Sequence, residues 1–144
     1  MRPTGVEWIV EAYGCAPEFL RDAGTLQALF AELIRDLNLH PCAEAQWTQF
    51  AGGGVTGFCV LSESHLACHS FPEHGTLCLN LFCCRPRPEW DFAVRLRARL
   101  DAQTVSVRRL ERPYHAPAMS ALAETASVAS ETAAREPGQP GGRR

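Results

Sequence analysis

Lysine is absent. The basic side chains other than histidine are all arginine, 14 of them in 144 residues. An enzyme built on this chain cannot form an imine through a lysine amine, nor anchor pyridoxal phosphate on one. No apolar run approaches the roughly 18 residues that a membrane-spanning helix needs, so no membrane span is expected. Net charge is −2 and arginine is not clustered in a long run, so nothing marks a nucleic-acid partner. The opening MRPTGVEWIV lacks the long apolar stretch of a secretion leader, and the chain is expected to be cytoplasmic. Seven cysteines, an odd number spread mostly through strand-like segments, suit reduced thiols better than a disulfide framework.

What is present is enough for one domain with a hydrophobic core. Segment 5–14 alternates as a strand, with Val6, Trp8, Val10 and Ala12 on one face and Glu7 and Glu11 on the other. Segment 25–39 has helical periodicity through Leu26, Leu29, Phe30, Leu33, Ile34 and Leu37, with Pro41 just beyond. Residues 43–50 alternate weakly, and Gly52–Gly54 mark a turn. Strands are expected over 55–62, 66–71, 76–84 and 104–110, and a second helix over 89–102. Arg95, Arg97 and Arg99 read as a solvated face of that helix.

This order predicts an α+β two-layer sandwich, a mainly antiparallel sheet with two helices on one face. The domain is expected to span 1–115. Residues 116–144 lack aromatics and are rich in Ala, Ser, Gly and Pro, which predicts a disordered tail. A sheet covered on one face only often buries the other against a partner, so a homodimer or higher oligomer is expected.

The chemistry gathers in LSESHLACHSFPEHG, residues 61–75. It carries three histidines, a cysteine, two glutamates and three serines between two apolar strands. A serine in a tight link can attack the carbonyl of the residue before it, converting the amide to an ester. Loss of the serine α-proton then expels the acyl group, and hydrolysis leaves a pyruvoyl carbonyl at the new N-terminus. Such a carbonyl accepts amines and withdraws electrons, as pyridoxal phosphate does. Glu63 and Ser64 sit where this cleavage would fall. If 65–70 is extended, His65, Ala67 and His69 share a side, and one imidazole is expected to reach back to the serine as proton acceptor. Cys84, at the end of the neighbouring strand, is placed to donate a proton to a carbanion.

His65, Cys68, His69, Cys83 and Cys84 suggest zinc by composition, but the spacing fits no ordinary pairing and Cys68 should point away from His69, so no metal is expected. Cys15, Cys42, Cys59, Cys68 and Cys78 read as packing residues. His65 and His74 acquire no role.

The run GVTGFCVLSESHLACHSFPEHG, continued by LNLFCC, resembles the core of the bacterial and archaeal S-adenosylmethionine decarboxylases. That family has a G-V-S-G strand, then E-S-H, then H-T-x-P-E-x-G, then a strand ending in T-C-G. The resemblance spans residues 5–112. It implies a proenzyme that cleaves itself between Glu63 and Ser64, with Ser64 becoming the covalent pyruvoyl cofactor that takes the substrate amine. His69 matches the histidine that drives processing, Thr56 a serine near the processing centre, and Cys84 the proton-donating cysteine. Cys83 takes the family's threonine position, leaving two adjacent thiols on opposite faces of the strand.

Phe50 and Phe71 match aromatics that pack on adenine and the sulfonium, and Glu73 an acid that binds the ribose hydroxyls. Family members act as dimers whose sites draw on both protomers, with Phe50 a candidate to come from the neighbour. The implied substrate is S-adenosylmethionine, its product feeding spermidine and other polyamine synthesis. Three positions depart from the pattern: Asn80 for aspartate, Arg85 for glycine, and Glu7 or Trp8 for a histidine. Decarboxylation of arginine or ornithine, and an unprocessed regulatory paralogue, are the alternatives these departures raise.

Overall fold

The computed structural model describes residues 4–116 and residue 118. Strand β1 (Thr4–Tyr13) leads to helices α1 (Pro17–Arg21) and α2 (Ala23–Asp36). Strands β2 (Gln46–Gln49), β3 (Val55–Leu61), β4 (Ser64–Phe71) and β5 (Thr76–Cys83) follow, then α3 (Phe92–Leu100) and β6 (Thr104–Pro113). The strands form one sheet in the order β2-β3-β4-β5-β1-β6. Every pairing is antiparallel. The expected two-layer α+β architecture is present. The compact unit that carries it ends at Tyr114. The expected tail falls almost wholly outside the described residues.

Period-2 alternation sorts the sheet into two faces. Val6, Trp8, Val10 and Ala12 of β1 are buried together with Leu66, Cys68, Leu77, Leu79, Leu81 and Cys83. The helices close over that face, bringing Leu20 from α1, Leu26, Leu29 and Leu33 from α2, and Leu96 and Leu100 from α3 into the same core. Asp22 caps α2 by accepting from the Gly24 and Thr25 amides, and Asp91 caps α3 by accepting from Val94. No helix among the described residues is long and apolar enough to cross a membrane.

Four expectations need correction. There are three helices rather than two. The extra one, PEFLR, is a five-residue turn begun by Pro17, too short to show a helical period. Strand β6 runs to Pro113 and pairs with β1 along its whole length; as an edge strand exposed over most of its length beyond Ser106 it carries little hydrophobic alternation to read. The Arg95, Arg97 and Arg99 face is exposed at Arg95 and Arg97 but not merely solvated: Arg95 and half-buried Arg99 pair with Glu32 of α2, which is buried, and so tie α3 to α2. Cys15, Cys59 and Cys68 pack in the core as expected, but Cys42 is exposed and Cys78 half-buried.

Candidate active site

The β3–β4 hairpin is shorter than the sequence suggests, because β4 begins at Ser64. Leu61 pairs with Ser64, so Ser62 and Glu63 alone make the link. Glu63 lies in the left-handed region at φ 56, and it is the only member of the pair with positive φ. The favoured two-residue hairpins place positive φ at both central positions or at the first. This link does neither, and it puts the strained residue, a non-glycine, on the acyl side of the 63–64 peptide bond. The link is held at its base by the Ser62 amide, which donates to the His40 carbonyl at 2.9 Å.

Ser64 and Cys84 meet here although twenty residues separate them. The Cys84 amide donates to Ser64 Oγ at 3.0 Å. The Cys84 thiol lies 3.9 Å from the Ser62 carbonyl, and the Tyr114 hydroxyl donates to the Cys84 carbonyl. A cavity of about 270 Å³ holds Glu63, Ser64, Cys84, Arg85, Arg87 and His40 on its walls. A second hollow shares Glu63, Cys84 and Arg85 with Phe82 and Tyr114. The scissile position therefore sits on a rim between the two. The structure separates the adjacent thiols: Cys83 is only 1% exposed on the core face, and burial pushes its pKa up to about 11. Cys84 is the one that reaches the cavities.

The other candidates assemble at the opposite end of β3 and β4. Thr56 and His69 are register partners, with Thr56 Oγ1 and His69 Nδ1 3.0 Å apart. They line a pocket of about 430 Å³ with Phe50, Phe71, Glu73 and Gly54. Gly54 is needed there, since a Cβ would come within 2.9 Å of the Ser70 carbonyl. Ser70, buried beneath the pocket, donates to the Leu20 carbonyl at 2.7 Å and accepts from the Val55 amide at 2.9 Å. Phe50, considered a contribution from a neighbour, lines this pocket from the same chain.

His69 does not reach back to Ser64. At 3.3 Å per residue, five residues of strand place them about 16 Å apart, and the alternation turns their side chains to opposite faces. His65 is nearer but engaged. Its Nε2 lies 2.6 Å from Asn80 Oδ1, and its ring stacks between Phe58 and Phe82. Asn80 donates its amide to Glu7 at 2.9 Å, and Glu7 also takes Arg112, whose guanidinium lies over Phe82. With its nitrogen committed to Glu7, Asn80 presents oxygen to His65, so His65 Nε2 carries a proton. The Asn80 hydrogen bond, and after it Arg112, hold the Glu7 carboxyl below its ordinary range. Sequence reasoning assigned His65 nothing and missed Tyr114 and His40. The register of β4 on β5 is the signal that places His65, and it exists only after folding.

The family model described as S-adenosylmethionine decarboxylase matches residues 6–113. The chain belongs to the S-adenosylmethionine decarboxylase family. Within that family it is similar to the S-adenosylmethionine decarboxylase proenzyme of Moorella thermoacetica, 31% identical over 122 residues that cover 84% of this chain and 97% of that one. The proenzyme of Pyrococcus furiosus is 31% identical over 94 residues, 65% of this chain and 67% of its own. The crystal structure of the adenosylmethionine decarboxylase from Aquifex aeolicus shares the fold, with a TM-score of 0.65 at 19% identity over 81% of this chain and 96% of that one.

Proposed function

We propose that the chain is a self-processing, pyruvoyl-dependent decarboxylase of S-adenosylmethionine, supplying decarboxylated S-adenosylmethionine for polyamine synthesis. Its working unit is a homodimer in which Ser64 and Cys84 of one copy meet Thr56, His69, Phe50, Phe71 and Glu73 of the other. The observation that carries this reading is the division of the candidate residues between the two ends of one strand. A two-fold interface brings residue i to residue j and j to i. Packing two open sheet faces in opposite senses would lay the Ser64 end of each β4 against the His69 end of the other, and the Glu63–Ser64 link, at the rim of the sheet, opens toward that side beside Phe82 and Cys84. The open face supports this: Phe58, Val60 and Leu110 are 41%, 50% and 44% exposed there.

In the processing step Ser64 Oγ attacks the Glu63 carbonyl carbon. The C–N bond breaks as the C–O bond forms, and the Thr56–His69 pair of the second copy takes the hydroxyl proton. A base then removes the Ser64 α-proton, the Oγ–Cβ bond breaks, and Glu63 leaves with the oxygen. The dehydroalanine tautomerises to an imine, water adds to its α-carbon, and the Cα–N bond breaks to release ammonia and leave the ketone. The residues at Ser64 fit the resulting group, since a strained acyl donor, a hydrogen-bonded Oγ and a cavity coincide there. The pyruvoyl carbonyl supplies the site for the substrate amine and the electron sink for carbon dioxide loss. Cys84 returns a proton to the substrate α-carbon. Phe50 and Phe71 offer faces to the base and the sulfonium, and Glu73 accepts from the ribose hydroxyls.

Intact mass under denaturing conditions tests the reading. Two chains, 1–63 and 64–144, are expected, the second lighter by one ammonia than peptide hydrolysis predicts. A single uncut chain after long incubation at neutral pH rejects it.

A further inference from the structure

The cavity at the β3–β4 link has a charge pattern that the reaction above does not use. Arg85, Arg87 and His40 line it beside Glu63 and Ser64. Among the described residues no carboxylate pairs with Arg85 or Arg87, nor with Arg21 or Arg97, whereas Arg35, Arg95, Arg99, Arg108, Arg109 and Arg112 each pair with at least one. Arg87 Nε is buried without a hydrogen-bond partner. The Arg87 side chain reaches the Cys83 thiol, which burial keeps protonated, so that contact brings it no charge. A buried guanidinium N–H without a partner is costly. The cavity thus presents cationic groups that no carboxylate of the precursor pairs with, the Glu63 side chain on its wall included.

Two carboxylates could come here, and chemistry separates them. The substrate carboxylate loses its charge as carbon dioxide forms. Cations that grip it would stabilise the ground state more than the transition state and slow the reaction. The other carboxylate is made in place. When the ester between Glu63 and Ser64 Oγ eliminates, the Oγ–Cβ bond breaks and its electron pair stays on oxygen. The Ser64 α-proton goes to a base, the Cα=Cβ bond forms, and Glu63 acquires an α-carboxylate in this cavity. Negative charge grows on that group through the transition state, where fixed cations lower the barrier.

We propose that Arg85, Arg87 and His40 are a cradle for the α-carboxylate that Glu63 gains on cleavage. The cradle stabilises it as a leaving group and then holds the new chain end by charge-assisted hydrogen bonds. This inference rests on the self-cleavage proposed above. It places the cradle in the elimination step and leaves the first attack, which creates no carboxylate, unaffected.

The test is a double variant, Arg85→Gln with Arg87→Gln, in the full chain, sampled over time after purification. Hydroxylamine under denaturing conditions cleaves any ester and yields a 64–144 chain beginning with serine. The reagent also turns the pyruvoyl chain into its oxime, and the serine chain is heavier than that oxime by two hydrogens, so high-resolution mass spectrometry counts ester and product together. The expected result is accumulated ester and elimination at least tenfold slower than in the unaltered protein. Arg85→Lys with Arg87→Lys, which keeps the charges, is expected to restore most of the rate. Elimination at the unaltered rate in the glutamine variant overturns the cradle while self-cleavage stands. Equal stalling of the glutamine and lysine variants also overturns it, because packing and not charge would then be the cause. An unaltered chain that never cuts overturns the self-processing reading and the cradle with it.

Discussion

Ser64 and His69 stand at opposite ends of β4, with their side chains on opposite faces, so neither can serve the other within one chain. Each has its own local partner: Ser64 Oγ accepts from the Cys84 amide, and His69 Nδ1 lies 3.0 Å from Thr56 Oγ1. A chemistry that needs both must draw them from two copies.

Mixing two inactive variants tests that directly. Ser64→Ala and His69→Ala should each remain uncut alone. Co-expressed, they form heterodimers in which Ser64 of one faces His69 of the other. With random pairing, about half of the His69→Ala chains should be cut, read as two fragments by mass. No cutting in the mixture would sink the shared site.

The two adjacent thiols should separate by function. Cys84→Ala should still cleave itself yet turn over poorly, since the proton donor is gone and the 63–64 link is untouched. Cys83→Ala should instead lower stability by about 1–2 kcal/mol through a small core cavity, measured by urea unfolding, with turnover retained. Full activity in Cys84→Ala would reject its role.

Strain at Glu63 should assist processing. A non-glycine residue in the left-handed region costs about 1 kcal/mol, and breaking the 63–64 bond releases it. Glu63→Gly removes that cost from the precursor, so self-cleavage should slow by up to about fivefold. Gel densitometry over time measures it, and an unchanged or faster rate would show that the strain is not used.

The Glu7 carboxyl is held below its ordinary value of 4.5 by the Asn80 amide and Arg112. A depressed carboxylate stabilises the fold above its unfolded pKa and loses that contribution as pH falls through the folded pKa. Glu7→Gln should therefore be less stable than the unaltered chain at pH 7, and the gap should narrow at a pH below the ordinary glutamate value of 4.5. Thermal unfolding at both pH values decides it; a gap independent of pH would assign the effect to packing.

Helix α2 and the strands that bear the core were legible in the sequence, because periods of 3.6 and 2 are local properties of the chain. So was the chemistry of 61–75, since serine, histidine and cysteine carry their reactivity wherever they fall. The five-residue α1 and the long edge strand β6 were not, one too short and the other too exposed to show a period. Register decided the rest. His65 meets Asn80 across 15 residues, Asn80 meets Glu7 across 73, and Arg99 meets Glu32 across 67. Sequence spacing carries no trace of such pairings. They arise when burial of one sheet face selects a single strand alignment, and that alignment sends Ser64 and His69 to opposite ends of the same strand.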